Sequence, residues 1–427
     1  MKVVVVGGGW SGLAAAVKLS ENGHHVHLIE SAKYLGGRAR SVDWQGLEID
    51  NGQHLLIGAY KHTRQLLNVV GVDERDVFNH QALNIQILDT THPPLTLAAG
   101  SGLWPVSLLW RLFRDNDMPT LWQIIMLSIR ARVFPTERDR PLAAWLEECG
   151  QSNRLIRQLW EPLCLATLNT PIDEASAAVF ARVINDTFRS RADTDLLIPL
   201  KPLGQVFPSF AADYIQAQGG QVSLQQRVTN ICISNQQATA AVLSDGTRIA
   251  ADHIILATPL DITRQLITPH LTLPHFDTYP IATVFLRYAE RPEFPYPMLG
   301  LSGTLSQWIF DRSDVDPGLV TVVISGPGPH ERFDKHNLCV QIAREVMELV
   351  PFIDTMPIQS WVIREKKATF SCGVDIQSHR PKNRTEITSL WLAGDYVSND
   401  YPATLEGAIL NGVETANLLM DEISVHH

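Results

Sequence analysis

Cysteine is scarce and spaced for no obvious chemistry. The five cysteines, Cys149, Cys164, Cys232, Cys339 and Cys372, are scattered through 427 residues and never form a CxxC. That argues against a disulfide framework or a zinc site and for a reducing compartment. Positive charge is also short: 35 Lys and Arg face 45 Asp and Glu, a formal net charge of −10. The chain therefore lacks the basic footprint that general nucleic-acid binding requires. A long apolar run is missing as well. The longest uncharged stretch, residues 90–110, contains Pro93, Pro94, Gly100, Gly102 and Pro105, which would break a helix in lipid. Lys2 and the apolar run ending in Ala14-Ala15-Ala16 imitate a signal peptide, but glycines interrupt that run. The expectation is a cytosolic protein.

What is present is enough apolar surface for a large core: 45% of residues are hydrophobic and 19% charged, which rules out disorder as the dominant state. At ~150 residues per domain the length suggests two or three domains. Four regimes follow one another. Residues 1–70 read as strand, glycine turn, helix and strand, then an irregular glycine-rich stretch, and residues 76–208 carry helical spacing of Trp, Leu and Arg. Residues 222–259 are β-rich, with an Asp245-Gly246 turn, and residues 281–325 hold further alternating strands. The end returns to a strand at 390–393, a glycine turn and a closing helix over 406–422.

Residues 3–6 are all valine, as suits a parallel strand buried on both faces. They run into Gly7-Gly8-Gly9-Trp10-Ser11-Gly12, which satisfies GxGxxG, then a helix over 13–20, then a second strand over 25–29 ending in Glu30. Gly7 permits the tight turn, Gly9 lets the backbone approach a pyrophosphate, and Gly12 lets helix and strand pack closely. The helix amino terminus attracts the anion, and Glu30 is placed to accept ribose hydroxyls. A lone glycine turn need bind nothing, but the whole strand–helix–strand–acid series occurs within about thirty residues. Gly36-Gly37-Arg38 adds a second close-approach loop with a fixed cation, suited to further phosphate contacts.

At this point the sequence resembles the flavin-containing amine oxidase and phytoene desaturase superfamily. The resemblance covers the segments above, Gln226-Arg227-Val228, Ala257-Thr258-Pro259, Leu392-Ala393-Gly394-Asp395, and the closing Pro402-Ala403-Thr404-Leu405-Glu406-Gly407-Ala408. It implies FAD, bound noncovalently. By the same resemblance Val228 holds the adenine through its backbone, and Gly394 and Asp395 lie against the ribityl-phosphate arm. The helix start at Thr404 and Leu405 would sit under the isoalloxazine ring, and Ser11, Gly52, Gln53 and His54 join the cofactor set. Four further segments look like the hydroxysqualene dehydroxylases: Asp50-Asn51-Gly52-Gln53-His54-Leu55-Leu56-Ile57-Gly58-Ala59-Tyr60; 162–170; Gln307-Trp308-Ile309-Phe310-Asp311-Arg312; and 364–370. In that family a reduced flavin replaces the hydroxyl of hydroxysqualene with hydrogen, giving squalene for hopanoid synthesis. One departure concerns the amine oxidases: their water-holding lysine aligns with Leu286.

Among individual residues, His54 is the candidate catalytic acid for a departing hydroxyl, against the plainer reading of a hydrogen-bonding histidine. His24, His25 and His27 lack a carboxylate or cysteine to complete a site, so no metal is expected. Glu161 reads as a helix-surface charge, Asn169 as a helix-terminal cap, and Lys366 and Lys367 as a solvated pair. Residues 103–134 combine Trp104, Trp110 and Trp122 with Arg111, Arg114, Arg130 and Arg132 against Asp115 and Asp117. This pattern fits either a helical pair in the core or a segment lying on an anionic membrane surface.

The expected fold is α/β. A discontinuous Rossmann-type FAD-binding domain would comprise residues 1–75, 209–268 and 385–427. A substrate domain of antiparallel sheet plus helices would comprise 76–208 and 269–384. The expected activity is reductive dehydroxylation of an isoprenoid small molecule. It would need an external electron donor, and the chain would sit peripherally on the cytoplasmic face of a membrane. A carotenoid-type desaturase, an amine oxidase-like flavoenzyme and a non-enzymatic flavin scaffold are the alternatives.

Overall fold

The computed structural model describes residues 1–44, 46–99, 110, 117–134, 138–296 and 298–426. A five-stranded, all-parallel sheet is assembled from distant stretches of the chain. Its order is Gln221–Ser223, His25–Ile29, Lys2–Val6, His253–Leu256, Leu390–Leu392. The valines of Lys2–Val6 are buried on both faces, as an inner parallel strand requires. Three short strands, Val228–Ser234, Gln237–Leu243 and Arg248–Ala250, form a separate antiparallel sheet around the Asp245-Gly246 turn.

A second large sheet has seven strands in the order Gln359–Phe370, Thr278–Arg287, Leu319–Ser325, Trp308–Asp311, Met298–Ser302, Asn84–Asp89, Leu95–Ala98. It is antiparallel apart from the parallel pairing of Met298–Ser302 with Asn84–Asp89. The expected antiparallel sheet is thus present, with this one parallel pairing at its far edge. Its last two strands come from an earlier stretch of chain and join the far edge as a hairpin, so that their direction is not set by the meander beside them. Helices Glu161–Leu168 and Ala177–Thr187 complete this half.

The two ends of the chain meet through the first and last helices, on the side of the parallel sheet. Helix Trp10–Glu21 is almost wholly buried, and the closing helix Leu405–His426 crosses it. The crossing is close because Gly412 has no side chain: a Cβ there would collide with the carbonyl oxygen of Ser11. Gly12 serves the packing of helix on strand in the same way, since a Cβ there would collide with the carbonyl oxygen of Gly7. From the closing helix, buried Glu406 reaches across to helix Lys61–Val69. Its carboxylate accepts from the His62 amide at 2.9 Å, His62 Nδ1 at 2.8 Å, the Thr63 amide at 3.0 Å and Thr63 Oγ1 at 2.7 Å. Two amides at a helix amino terminus and a carboxylate are natural partners. No helix among the described residues is long and apolar enough to cross a membrane.

Gly412→Ala should therefore separate the two helices. Overpacking of this kind costs about 1–3 kcal/mol, so the denaturant midpoint should fall clearly. An unchanged midpoint would mean that the helices do not cross this closely.

Candidate active site

A cavity of 1490 Å³ lies between the parallel sheet and the seven-stranded sheet. Pockets for drug-sized ligands run to about 1,000 Å³, so this one has room for more than one small molecule. Every proposed cofactor residue except Gly12 lines it: Gly7, Gly9, Ser11, Glu30, Gly36, Gly37, Arg38, Gly52, Gln53, His54, Val228, Gly394, Asp395, Thr404 and Leu405. Gly12 lies beneath the turn, where it serves packing.

At one end, two glycine loops touch backbone to backbone. The Gly36 amide donates to the Gly8 carbonyl at 2.9 Å, and Gly9 and Gly36 form a bridge. The first helix begins here with no side chain capping it, and Ser11 Oγ is buried without a partner. A Cβ built on Gly9 meets nothing closer than Gly37 Cα at 3.9 Å. An uncapped helix amino terminus, an orphaned hydroxyl and open space at a glycine together fit a phosphate group. Glu30 accepts from the Gly8 amide and the Ala32 amide, each at 2.7 Å. A carboxylate has about four acceptor sites, so Glu30 retains capacity for hydroxyl donors. Arg38 differs from its expected role in one respect: its guanidinium is engaged by buried Asp395 at 2.6 Å and by the Ala368 carbonyl at 2.8 Å. The two expected cofactor residues thus hold each other across the cavity wall. Thr404 Oγ1 accepts from the Gly407 amide at 3.1 Å, capping the start of the closing helix where it faces the cavity.

At the other end the lining turns apolar, with Leu83, Ile85, Leu97, Phe180, Phe188 and Phe310. Between the two ends stands His54. Its Nδ1 is buried without a partner. Burial pushes the ring's pKa down to about 4, with the Arg312 charge acting in the same direction and the Gly52 carbonyl opposing both. The imidazolium that a stored catalytic proton would need is therefore absent near neutral pH. His54 therefore lines the cavity as a neutral ring, whose one N–H can still be donated to a departing oxygen.

A family model for flavin containing amine oxidoreductases matches residues 10–420. The chain belongs to the flavin containing amine oxidoreductase family. It is an FAD-dependent oxidoreductase. A hydroxysqualene dehydroxylase of Zymomonas mobilis is 27% identical over 97% of this chain and 98% of its own. A second, from Sinorhizobium fredii, is 27% identical over 98% of each. The 15-cis-phytoene desaturase of Narcissus pseudonarcissus is 23% identical over 99% of this chain and 80% of its own. In fold the chain is similar to a cyclohexylamine oxidase from Brevibacterium oxydans, with TM-score 0.71, 18% identity and 99% of both chains covered.

Against these amine-oxidising relatives in fold, the expected placement of Leu286 needs correction. Leu286 is fully buried with Ala282 and Val284 on the face of its strand turned away from the cavity. The positions that alternate with it, Ile281 and Thr283, line the cavity instead, because successive strand residues point to opposite faces. Neither is a lysine. Among the described lining residues the one lysine is Lys367, at 2.8 Å from Asp261.

The remaining candidates serve the fold, although Asn169 also lines the cavity. Glu161 is exposed. Asn169 ends helix Glu161–Leu168 in the left-handed conformation, donating to Thr369 Oγ1 at 2.9 Å and accepting from the Gly326 amide at 2.6 Å. His27 bonds Ser223 Oγ at 2.9 Å, while His25 is exposed. Sequence reasoning missed Asp50 as a titrating group. It is buried beneath the Leu203 amide at 2.7 Å, and burial raises its pKa to about 7.

Gly9→Val has room in the bare protein but fills the phosphate cradle, so it should purify folded and without flavin. Full flavin content would contradict the assignment of that loop. For Asp50, a folded pKa raised from 3.8 to about 7 means that the native state binds the extra proton between those values. Stability should then fall as pH rises through that window. Asp50→Asn should flatten the loss seen between pH ~4 and ~7 in urea melts. An unchanged loss would show that Asp50 does not titrate there.

Proposed function

We propose that the chain reductively removes the hydroxyl of hydroxysqualene to give squalene. The observation that carries this reading is the shape of the cavity: a phosphate-binding end made of two glycine loops continues into an apolar arm, with neutral His54 between them. Ser11, Gly9 and Glu30 would hold the pyrophosphate and ribose of FAD, the Val228 backbone the adenine, and the Thr404–Leu405 helix start the far end. When bound and fully reduced, FAD would supply both the hydride for the carbon that loses its hydroxyl and the proton that carries the hydroxyl off as water, with an external donor restoring the electrons.

The chain's own task is to bind, orient and exclude water. Burial of a long hydrocarbon against Leu83, Ile85, Phe180 and Phe188 contributes roughly 25 cal/mol per Å² of apolar area. His54, neutral at physiological pH, can hydrogen-bond the substrate oxygen without carrying a charge into the apolar arm. The higher identity to the hydroxysqualene dehydroxylases, 27% against 23% for the phytoene desaturase, supports this reading over a desaturase.

The reading also gives a place to the expected membrane surface. Trp104, Arg111 and Arg114 lie outside the described residues, but helix Met118–Arg132 is described. Met118, Trp122 and Ile129, at helical spacing, and the following Val133 are 51–75% exposed, with Arg130 and Arg132 exposed beside them. The opposite side of this helix packs against Ala177–Thr187, whose Phe180, Val183 and Ile184 line the cavity. An exposed apolar stripe ending in cations suits an anionic lipid surface, and the cytoplasmic leaflet would be the natural one.

Photoreduced holoenzyme incubated anaerobically with hydroxysqualene should yield squalene on extraction and mass spectrometry. Unchanged hydroxysqualene, with phytoene consumed by the oxidised enzyme, would favour the desaturase instead. In flotation with anionic liposomes, Trp122→Glu combined with Ile129→Glu should release the protein while flavin content stays intact. Equal flotation would remove this helix from the membrane.

A further inference from the structure

Arg312, just past strand Trp308–Asp311, is only 6% exposed, an uncommon setting for a guanidinium. Its Nη1 donates to Gln53 Oε1 at 2.8 Å, its Nε to Asp314 Oδ1 at 3.1 Å, and its Nη2 to the Pro199 carbonyl at 3.4 Å. Gln53 is held from every side. Its Oε1 also accepts from Thr321 Oγ1 at 3.2 Å, its Nε2 donates to the His54 carbonyl at 3.0 Å, and its amide faces Thr283 Oγ1 at 3.4 Å. The Gln53 side-chain oxygen is thus held within the protein, while its NH2 keeps one hydrogen beyond the one given to the His54 carbonyl. One guanidinium joins three segments distant in sequence: residues 51–54, strand Leu196–Pro199 and the seven-stranded sheet. They meet at the point where His54 enters the cavity. A planar fork of five donors is well matched to that task, and lysine is not.

We propose that Arg312 is a positioning residue, which acts through Gln53 to fix residues 51–54 so that His54 presents its ring to the cavity. The proposal rests on the reading of His54 as the contact for the substrate oxygen. The charged groups around this loop are Arg312 itself, its partner Asp314, and buried Asp50. A displaced ring matters because misplacement of about 1 Å can cost on the order of 100-fold in rate.

The test uses flavin-loaded protein with labelled histidine, with the His54 resonance assigned by its loss in His54→Gln. Gln53→Leu keeps the Arg312 charge and removes the tether. It should displace the His54 resonance and lower kcat about tenfold, with KM changed less than kcat. Arg312→Lys should do the same. Arg312→Gln removes the charge, so the His54 midpoint should rise slightly above about 4, with burial still holding it low, while in Gln53→Leu it does not rise. Wild-type resonance position and kcat in both Gln53→Leu and Arg312→Lys would overturn the proposal. Should Arg312→Gln fail to fold, those two variants still decide it. If wild-type protein leaves hydroxysqualene untouched, the substrate reading fails, and the displacement of the His54 resonance still answers for Arg312.

Discussion

Backbone-to-backbone contact at glycine is the constraint on which the rest of this structure depends. The first helix can lie on the first strand only because Gly12 leaves the Gly7 carbonyl clear, and the closing helix can cross it only because Gly412 leaves the Ser11 carbonyl clear. Together these contacts bring two helix amino termini to one cavity, although nearly four hundred residues separate them. Glu406 then ties the closing helix to helix Lys61–Val69 through buried hydrogen bonds, so the helix that faces the cavity is held from behind. Removing a partner from such a buried carboxylate would leave its desolvation uncompensated.

The same closeness explains how one fold serves both a polar cofactor and an apolar substrate. Glycine loops expose amides and a helix terminus to phosphate at one end, where water is replaced by fixed dipoles. Sheet and helices add apolar lining from Leu83, Ile85, Leu97, Phe180, Phe188 and Phe310. His54 lines the same cavity, and its low pKa follows from its burial, with the Arg312 charge acting in the same direction. Asp50, buried a few residues earlier, is pushed in the opposite direction by the same physics, because burial disfavours whichever form carries charge.

Much of this was legible in the sequence because it is local. The GxGxxG turn, Glu30 and Gly36-Gly37-Arg38 occur within one short stretch, and each acts through backbone geometry or a short-range contact. The β-rich segment around Asp245-Gly246 follows from turn chemistry. What escaped is long-range. Gly412 looks like an ordinary helical glycine until Ser11 is placed against it, and Glu406 reads as a first-turn acid until Thr63 meets it. The face on which Leu286 lies depended on a one-residue register, which alternation on a strand makes decisive. Arg312 could be seen as a member of a motif, but its bond to Gln53 spans 259 residues. The pKa of His54 depends on burial, which no spacing reveals.

Everything proposed for the chemistry comes down to a hydrocarbon lying in the apolar arm with its oxygen at His54. A crystal structure of the oxidised, flavin-loaded protein with hydroxysqualene tests this most directly, because without reduced flavin the substrate should persist. The chain should run along Leu83, Ile85, Phe180 and Phe188, with its hydroxyl within hydrogen-bond reach of the His54 ring. Density for the hydrocarbon outside this arm, or a hydroxyl turned away from His54, would contradict the account.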